Sequence, residues 1–362
     1  MLQVSGDLHW DYFNPVKVVS SPLNTLNTYV EATNVILVTT AGFVSRGVVQ
    51  DVCDILHGTL VHVWSGVTPN PDIQEIESIT RRYIHSGIDF VIGLGGGSAI
   101  DAAKALSLTL ADSDSSSLTD LFRLDKKQIW KKRLPLLVVP TTSGTGSEVT
   151  PFATIWDREK KKKYSISTDF SFPDVALLDP SLTLTLGPSE TLYPGLDTIS
   201  HALESLWNKN KNPISQIYAL EALNLANEAL PIVMEEPTSQ VARRKMQMAS
   251  TFAGFAISQT RTALAHSISY PLTAHFGVPH GLACSFTLCK LIDVYLSQET
   301  KLSYEKLVRD TQILLSSLRL DLLIKDFASQ EEILSLSGEM YTPGRADNFS
   351  VKLPDLADIL VS

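Results

Sequence analysis

The amino-acid sequence predicts an α/β domain with a parallel sheet over residues 1–180, followed by an all-helical domain over residues 181–362. In the first half, short runs of β-branched residues alternate with segments of helical periodicity, a pattern typical of parallel strands joined by crossover helices. Beyond Asp179-Pro180-Ser181, which we interpret as a hinge, nearly every segment has helical spacing. The length of 362 residues suits two domains, because single cores stop growing near ~250–300 residues.

Four strands are predicted in the first half, at 35–40, 60–64, 89–94 and 134–140. The predicted helices there cover 49–56, 73–86 and 102–110, and a loop rich in Ser and Asp precedes the fourth strand. In the second half, apolar spacing predicts helices at 214–234, 241–258, 262–274, 282–296 and 304–318.

Composition and charge narrow the class of protein. Apolar residues make up 44% of the chain and charged residues 19%, as in ordinary globular proteins. The net charge of −9 speaks against a nucleic-acid surface. The three cysteines form no CxxC pair, which is typical of reduced thiols in the cytosol. Because residues 1–7 lack a basic region before an apolar run, and no apolar run reaches the ~20 residues of a membrane span, we expect a cytoplasmic protein without a signal peptide.

A glycine cluster follows the third predicted strand, in the run GGGSAIDAAK at 95–104. Glycines between a strand and a helix let backbone N–H groups approach a pyrophosphate, and the helix N-terminus favours the anion. The spacing is not GxGxxG, and one or two glycines could serve a tight turn alone, but three in a row with Ser98 as a helix cap favour the functional interpretation. A second loop, PTTSGTGSEVT at 140–150, follows the next strand. Two such loops at the carboxyl ends of parallel strands predict a nucleotide cofactor.

A metal site is predicted in the second half. Asp197 and His201 lie four residues apart in a segment of helical spacing, so their side chains share one helix face. His266 and His280 are the natural third and fourth ligands, and one carboxylate with three imidazoles suits iron(II) or zinc. Alone, Asp197 could be a helix-start residue and His266 a core histidine; the four together predict one divalent cation.

Together, these segments resemble the iron-containing, or group III, alcohol dehydrogenase family. The matching runs are GGGSAIDAAK (95–104), PTTSGTGSEVT (140–150), LLDP (177–180), GLDTISHALE (195–204) and the pair His266 and His280, which ends in PHG. They cover about residues 30–290 in the family's order and spacing. The resemblance implies the fold shared with dehydroquinate synthase: an N-terminal dinucleotide-binding domain, a helical metal-binding domain, and an active site in the cleft between them.

Carried over residue by residue, the resemblance assigns the metal ligands to Asp197, His201, His266 and His280. It assigns cofactor contacts to Thr40, Asn70, Gly96, Gly97, Ser98, Asp101, Thr141, Thr142, Thr150 and Lys163. It implies iron(II) or zinc as the metal, NADPH or NADH as the cofactor, a small aldehyde or alcohol as the substrate and a homodimer. Neither a nucleic acid nor a membrane is expected as a partner.

Three features of the sequence depart from the family pattern. Many NAD-preferring members end the first strand with Asp, whereas this chain has Thr40, so we expect NADPH to be accepted at least as well as NADH. Many members carry a further His four residues after the third ligand, where this chain has Tyr270, a candidate catalytic proton donor. The part beyond about residue 300 is shorter and contains PGRADN at 343–348.

The run 267–284 and PGRADN most resemble the phosphonoacetaldehyde reductase branch of the family. That resemblance implies reduction of phosphonoacetaldehyde to 2-hydroxyethylphosphonate in phosphonate biosynthesis. A phosphonate dianion needs cationic or N–H partners, for which Arg261, His275 and Arg345 are candidates, with Lys163 a further one. Surface placement is the alternative for either arginine.

Other functions stay open from the sequence. One is a generic group III enzyme for uncharged short-chain alcohols or aldehydes, in which no cationic residue would face the substrate. Another is a lyase resembling dehydroquinate synthase, although that class expects additional Lys and Arg around the metal motif, and residues 197–204 contain none. A nucleotide sensor without catalysis would not need four metal ligands.

Overall fold

The computed structural model describes residues 9–111, 117–124, 130–299, 301–353 and 355–360. Residues 1–7, on which the expectation of no signal peptide rests, and much of the Ser- and Asp-rich loop lie outside this described part. The chain divides into two compact units. The first comprises Asn14–Thr142 and Ser147–Thr183; the second comprises Ser143–Gly146, the chain from Leu184 onward and an N-terminal segment ending at Phe13. In the described residues, we find no helix with the length and apolar character needed to span a bilayer.

The first unit is built on a six-stranded parallel sheet, which confirms the predicted fold class. Across the sheet the strands are β1 (Lys17–Ser20), β8 (Val175–Leu178), β5 (Leu136–Pro140), β4 (Phe90–Gly95), β2 (Asn34–Val38) and β3 (Leu60–Trp64). The central strands β4 and β5 are buried along their whole length, which explains why they read as continuous apolar runs. The sequence did not indicate β1 and β8, because each has only four residues and their pairing joins segments more than 150 residues apart.

Five helices and a hairpin complete this unit. The helices are α1 (Ala41–Ser45), α2 (Val48–Ile55), α3 (Ile73–Tyr83), α4 (Gly97–Thr109) and α5 (Leu118–Arg123), counted in its described residues. The hairpin pairs β6 (Phe152–Asp157) with β7 (Lys162–Ser167) in antiparallel register. Helix α4 begins at Gly97 with Gly96 as its cap, so the expectation that Ser98 caps it is wrong. The extended backbone of Gly96 lets the helix begin earlier, and the Ser98 hydroxyl instead accepts a hydrogen bond from the Asn70 N–H at 3.2 Å.

The second unit is helical, as predicted. Its helices are α6 (Pro188–Leu206), α7 (Pro213–Glu235), α8 (Gln240–Thr260), α9 (Leu264–Phe276), α10 (His280–Ala283), α11 (Leu288–Gln298), α12 (Glu305–Ser317), α13 (Leu320–Leu323), α14 (Gln330–Ser335) and α15 (Leu356–Leu360). The continuous helix predicted at 282–296 is divided into α10 and α11. Side chains hold the break: the Ser200 hydroxyl donates to the Cys284 carbonyl at 3.1 Å, and the Ser285 hydroxyl donates to the Leu196 carbonyl at 3.1 Å. The Leu288 N–H donates to the Ser285 carbonyl, so the Cys284 carbonyl accepts from α6 and not from the next turn of its own helix.

Close contact between α6 and α10 requires a glycine at position 281. A Cβ atom there would overlap the Tyr193 carbonyl oxygen. Gly281→Ala is therefore expected to lower the free energy of unfolding by about 1–3 kcal/mol or more, because a backbone oxygen cannot rotate away as a side chain can. Urea unfolding of the metal-free protein would measure this loss. Gly338→Ala is the matched control, since its Cβ would meet nothing within 4 Å, and equal losses in the two variants would contradict the expectation.

Candidate active site

Helix α6 presents a buried carboxylate on which several side chains converge. Asp197 Oδ1 lies 3.4 Å from His201 Nε2 on the same helix, 3.3 Å from His266 Nε2 and 3.8 Å from His280 Nε2. With metal–nitrogen and metal–oxygen bonds of about 2.1 Å, the edge of a tetrahedral site is about 3.4 Å. The separations therefore fit side chains that share one small cation, and the structure brings together the four residues that the sequence singles out.

Two further helices supply the other imidazoles. His266 lies in the first turn of α9, and His280 is the first residue of α10. Between them Gly277, at φ 67°, ends α9 in the left-handed conformation and lets the chain return. The side chains of His201 and His266 are buried, whereas that of His280 is 35% exposed. The cluster is thus open on the His280 side, where a substrate oxygen could approach.

Two hydrogen bonds orient the imidazoles. The buried Glu204 carboxylate accepts from His266 Nδ1 at 2.6 Å and from the backbone N–H groups of Ala263 and His266 at 2.9 and 3.2 Å. On the other ring, His201 Nδ1 faces the Gly144 carbonyl at 3.3 Å. With the proton on Nδ1 in each ring, both Nε2 atoms are left to bind a cation. Sequence reasoning missed Glu204, although its place seven residues after Asp197 puts it on the same face of α6.

The electrostatics of the cluster favour ionised carboxylates. Burial alone would raise the pKa of Asp197, but the neighbouring histidines outweigh it and hold that pKa well below its usual range. Burial likewise opposes ionisation of Glu204, yet the charge and hydrogen bond of His266 lower its pKa. Burial lowers the pKa of His201. Burial would also lower the pKa of His266, but the carboxylates of Glu204 and Asp197 outweigh it and raise that pKa. A divalent cation would complement these two buried negative charges.

A thiol that the sequence reasoning passed over also reaches the cluster. Cys284 Sγ lies 3.6 Å from Asp197 Oδ1 and 3.5 Å from the Gly281 carbonyl oxygen. Burial, and then the charge of Asp197, raises the pKa of this thiol in the metal-free protein. Its position four residues after His280 is the sequence signal that could have found it, because it repeats the spacing of Asp197 and His201.

Tyr270 and Arg345 lie beside the metal cluster. Tyr270 follows His266 by one helical turn on the same face of α9. The Arg345 guanidinium stacks over the Tyr270 ring at 4.6 Å from its centroid. Within the described part of the chain, no carboxylate or carbonyl forms an ion pair or hydrogen bond with this guanidinium. Burial lowers the pKa of Arg345, nearby Arg261 lowers it further, and Glu204 opposes them.

The C-terminal segment that carries Arg345 is fixed to α9. The Ser267 hydroxyl, adjacent to His266, donates to the Met340 carbonyl at 2.7 Å and accepts from the Thr342 N–H at 2.8 Å. The Asn348 side-chain amide donates to the Thr262 carbonyl at 2.9 Å. These bonds hold the run PGRADN against the helix of the third histidine.

The other two candidates for the substrate anion are more exposed than Arg345. Arg261, at the end of α8 with φ 63°, is exposed and lines a cavity of about 480 Å³ together with Lys209 and Lys211. His275 is exposed near the C-terminal end of α9, nine residues from His266, or about 13 Å along the helix axis. Its Nε2 pairs with Glu339 at 3.0 Å. The structure therefore places Arg345, and not His275, beside the histidine cluster.

The cofactor candidates of the first unit gather at one edge of its sheet. Thr40 follows β2, Gly96 follows β4, and Thr141 and Thr142 follow β5, so all lie at the carboxyl ends of neighbouring parallel strands. Strand β2 lies between β3 and β4, so the chain moves to one side from β2 to β3 and then crosses to the other side to form β4. Such a switch point is where open α/β sheets bind ligands. A Cβ on Gly96 would lie 3.2 Å from the Thr142 hydroxyl, so a side chain there would have to displace the Thr142 side chain.

A buried lysine holds the remaining cofactor candidates. Lys104 Nζ donates to the Ser147 hydroxyl at 2.9 Å and to the Thr150 carbonyl at 2.8 Å. Burial lowers the pKa of Lys104 to about 8, an effect that Asp101 and Glu148 oppose. The Asp101 carboxylate accepts a hydrogen bond from the Ser147 hydroxyl at 2.6 Å. Burial raises the pKa of Asp101, and the positive charge of Lys163 on β7 is among the effects that oppose this rise. Asp101 and Lys163 thus lie in one charged network with the loop of Thr150.

Two family models match the chain in succession. Residues 15–180 match the model described as iron-containing alcohol dehydrogenase, and residues 191–316 match the C-terminal model of the Fe-containing alcohol dehydrogenase family. This chain belongs to the iron-containing alcohol dehydrogenase family. A crystal structure of sulfoacetaldehyde reductase from Bifidobacterium kashiwanohense, in complex with NAD+, is similar over 98% of this chain and 97% of that one, with a TM-score of 0.88 and 30% identity.

Two alcohol dehydrogenases are similar to this chain in sequence. Long-chain-alcohol dehydrogenase 1 of Geobacillus thermodenitrificans is 34% identical over 252 residues, 69% of this chain and 63% of that protein. The 1-propanol dehydrogenase PduQ of Salmonella typhimurium is 35% identical over 232 residues, 64% of this chain and 58% of that protein. The matched region therefore spans about three-fifths of these relatives' length.

Proposed function

We propose that this protein is a metal-dependent, NAD(P)H-linked reductase of a small aldehyde that bears an anionic group, with phosphonoacetaldehyde as the substrate and 2-hydroxyethylphosphonate as the product. The observation that carries this proposal is the Arg345 guanidinium. It is half-buried on Tyr270 beside the histidine cluster, and no anion of the described chain pairs with it. A half-buried guanidinium without such a partner is suited to a phosphonate or sulfonate, which it can bind through two parallel hydrogen bonds.

The size of the substrate follows from the same geometry. Tyr270 and His266 are one helical turn apart, which is about 5–6 Å. In phosphonoacetaldehyde a single carbon separates the carbonyl carbon from phosphorus. Such a molecule can place its carbonyl oxygen at the open side of the histidine cluster while its anionic end remains near Arg345. The similarity to a sulfoacetaldehyde reductase supports this class, because a sulfonate is also a tetrahedral oxyanion next to a two-carbon aldehyde.

The residues of the chain have distinct roles in the proposed reaction. When bound, the cation supplies a Lewis acid for the aldehyde oxygen and the nicotinamide supplies a hydride for the carbonyl carbon. Asp197, His201, His266 and His280 would hold the cation, and Glu204 fixes the tautomer of His266. Arg345 orients the anionic end of the substrate. The alkoxide product takes its proton from Tyr270, water or a ribose hydroxyl.

A substrate screen tests the proposed function directly. The enzyme, loaded separately with iron(II) and zinc, is given NADPH or NADH and one of three aldehydes: phosphonoacetaldehyde, sulfoacetaldehyde or propanal. We expect the highest kcat/KM with phosphonoacetaldehyde. Equal efficiency with propanal would favour a generic short-chain alcohol dehydrogenase, in keeping with the similarity to a 1-propanol dehydrogenase. A higher kcat/KM with sulfoacetaldehyde than with phosphonoacetaldehyde would still support an anionic aldehyde as the substrate, but with a sulfonate in place of the phosphonate.

Cofactor preference is a separate prediction that rests on Thr40. This residue follows β2 in an extended conformation and caps α1 without a side-chain hydrogen bond. Because the position carries no charge, we expect NADPH to be used at least as well as NADH. Thr40→Asp should lower kcat/KM for NADPH relative to NADH by about 30-fold, roughly 2 kcal/mol, through repulsion of the 2′-phosphate.

Thr40→Asn is the matched control for this change, since it has the size of aspartate without its charge. It should leave the preference within about threefold of the wild-type value, a change that corresponds to well under 1 kcal/mol. A wild-type enzyme that strongly prefers NADH would contradict the expectation.

A further inference from the structure

The metal cluster contains more donor atoms than a four-ligand site requires. Asp197, His201, His266 and His280 account for four, and Cys284 adds a fifth. The ligand atoms of Asp197, His266, His280 and Cys284 all lie within 4.8 Å of one another. Cys284 is fully buried, so its sulfur faces the cluster and not solvent.

The position of the sulfur fits direct coordination. With a metal–sulfur bond of about 2.3 Å and a metal–oxygen bond of about 2.1 Å, the oxygen–sulfur edge of a tetrahedral site is about 3.6 Å. The observed separation between Asp197 Oδ1 and Cys284 Sγ is 3.6 Å. The residue is held there by its own backbone, because its carbonyl accepts from Ser200 at 3.1 Å and its N–H donates to the His280 carbonyl at 2.9 Å.

We propose that Cys284 is a sulfur ligand of the bound cation, beside Asp197, His266 and His280, when the cation is zinc or cobalt(II). Thiolate sulfur is a softer donor than the imidazole of His201, so it favours these ions over harder ones such as magnesium or manganese. On binding, the S–H bond gives way to the metal–sulfur bond and the proton passes to solvent. The proposal goes beyond the proposed function and requires only that the cluster bind a cation.

Cobalt(II) provides a spectroscopic test that does not depend on enzyme activity. Metal-free protein is titrated with cobalt(II), and a sulfur-to-cobalt charge-transfer band is sought in the near ultraviolet. We expect the band in wild-type protein at one equivalent of cobalt and no band in Cys284→Ser. Cys289→Ser is the matched control: this thiol lies on α11, half-buried and 3.5 Å from the Ser316 hydroxyl, and its loss should leave the band unchanged.

Two further measurements test whether Cys284 binds the cation. His201→Ala should still bind one cobalt with the sulfur band, and zinc affinity should fall at least about tenfold in Cys284→Ser. A wild-type cobalt protein without a sulfur band, or an identical spectrum in Cys284→Ser, would overturn the assignment of Cys284 while leaving the metal site intact. Failure of wild-type protein to bind either cobalt(II) or zinc would overturn this assignment, whereas the proposed function would still be tested by activity with iron(II).

Discussion

Replacing His266 by alanine is expected to lower the affinity for iron(II) or zinc by at least about 100-fold and to abolish aldehyde reduction. The imidazole is buried, with one nitrogen 3.3 Å from Asp197 Oδ1 and the other 2.6 Å from Glu204. Its removal takes away a donor atom and leaves the Glu204 carboxylate buried without its imidazole partner, a costly arrangement. Elemental analysis of the purified variant, and a competitive chelator titration, would measure the loss.

Helix α9 contains a natural control for this substitution. His275→Ala removes an exposed imidazole of the same helix, whose partner is Glu339, and should retain a full equivalent of metal. His280→Ala should lose metal as His266→Ala does. Full retention of metal in both His266→Ala and His280→Ala would contradict the assigned ligand set.

Replacing Arg345 by alanine is expected to lower kcat/KM for phosphonoacetaldehyde by about 30- to 1000-fold, corresponding to a loss of roughly 2–4 kcal/mol. The guanidinium is half-buried, stacks on Tyr270 at 4.6 Å, and has no anionic partner within the described chain. A charge-assisted pair at such a site is screened less by water than one on the surface. Steady-state kinetics with phosphonoacetaldehyde and with propanal would measure the loss, because propanal has no group for Arg345 to bind.

Two variants separate binding of the anion from general damage. Arg345→Lys keeps the positive charge but cannot form two parallel hydrogen bonds to the anion. Its kcat/KM with phosphonoacetaldehyde should therefore lie between the values of the wild type and of Arg345→Ala. Arg319→Ala removes an exposed arginine that pairs with Asp321, and it should leave kcat/KM unchanged with both phosphonoacetaldehyde and propanal. An equal loss of activity with propanal in Arg345→Ala would show that the residue supports the fold and does not select the substrate. Arg261→Ala, at the exposed cavity, is expected to have the smaller effect of the two arginine substitutions.

Periodicity predicted the central sheet and most of the long helices. Strands β2, β3, β4 and β5 lie within a few residues of their predicted positions, because buried parallel strands read as continuous apolar runs. The four-residue strands β1 and β8 gave no such signal. The division of the helix after Ala283 was also not foreseen, since the hydrogen bonds that hold it come from α6, more than 80 residues earlier in the chain.

The sequence by itself determined the fold class, and it predicted the two phosphate-type loops and the four residues proposed as metal ligands. Each of these depends on local order: strand and helix periods, glycines at the end of a strand, and a spacing of four that places Asp197 and His201 on one helix face. Only the tertiary structure decided that Glu204 orients His266, that Cys284 lies 3.6 Å from Asp197, and that Arg345 stacks on Tyr270. Those contacts join segments 62 to 87 residues apart, so they depend on how the helices pack and not on the spacing within any one of them.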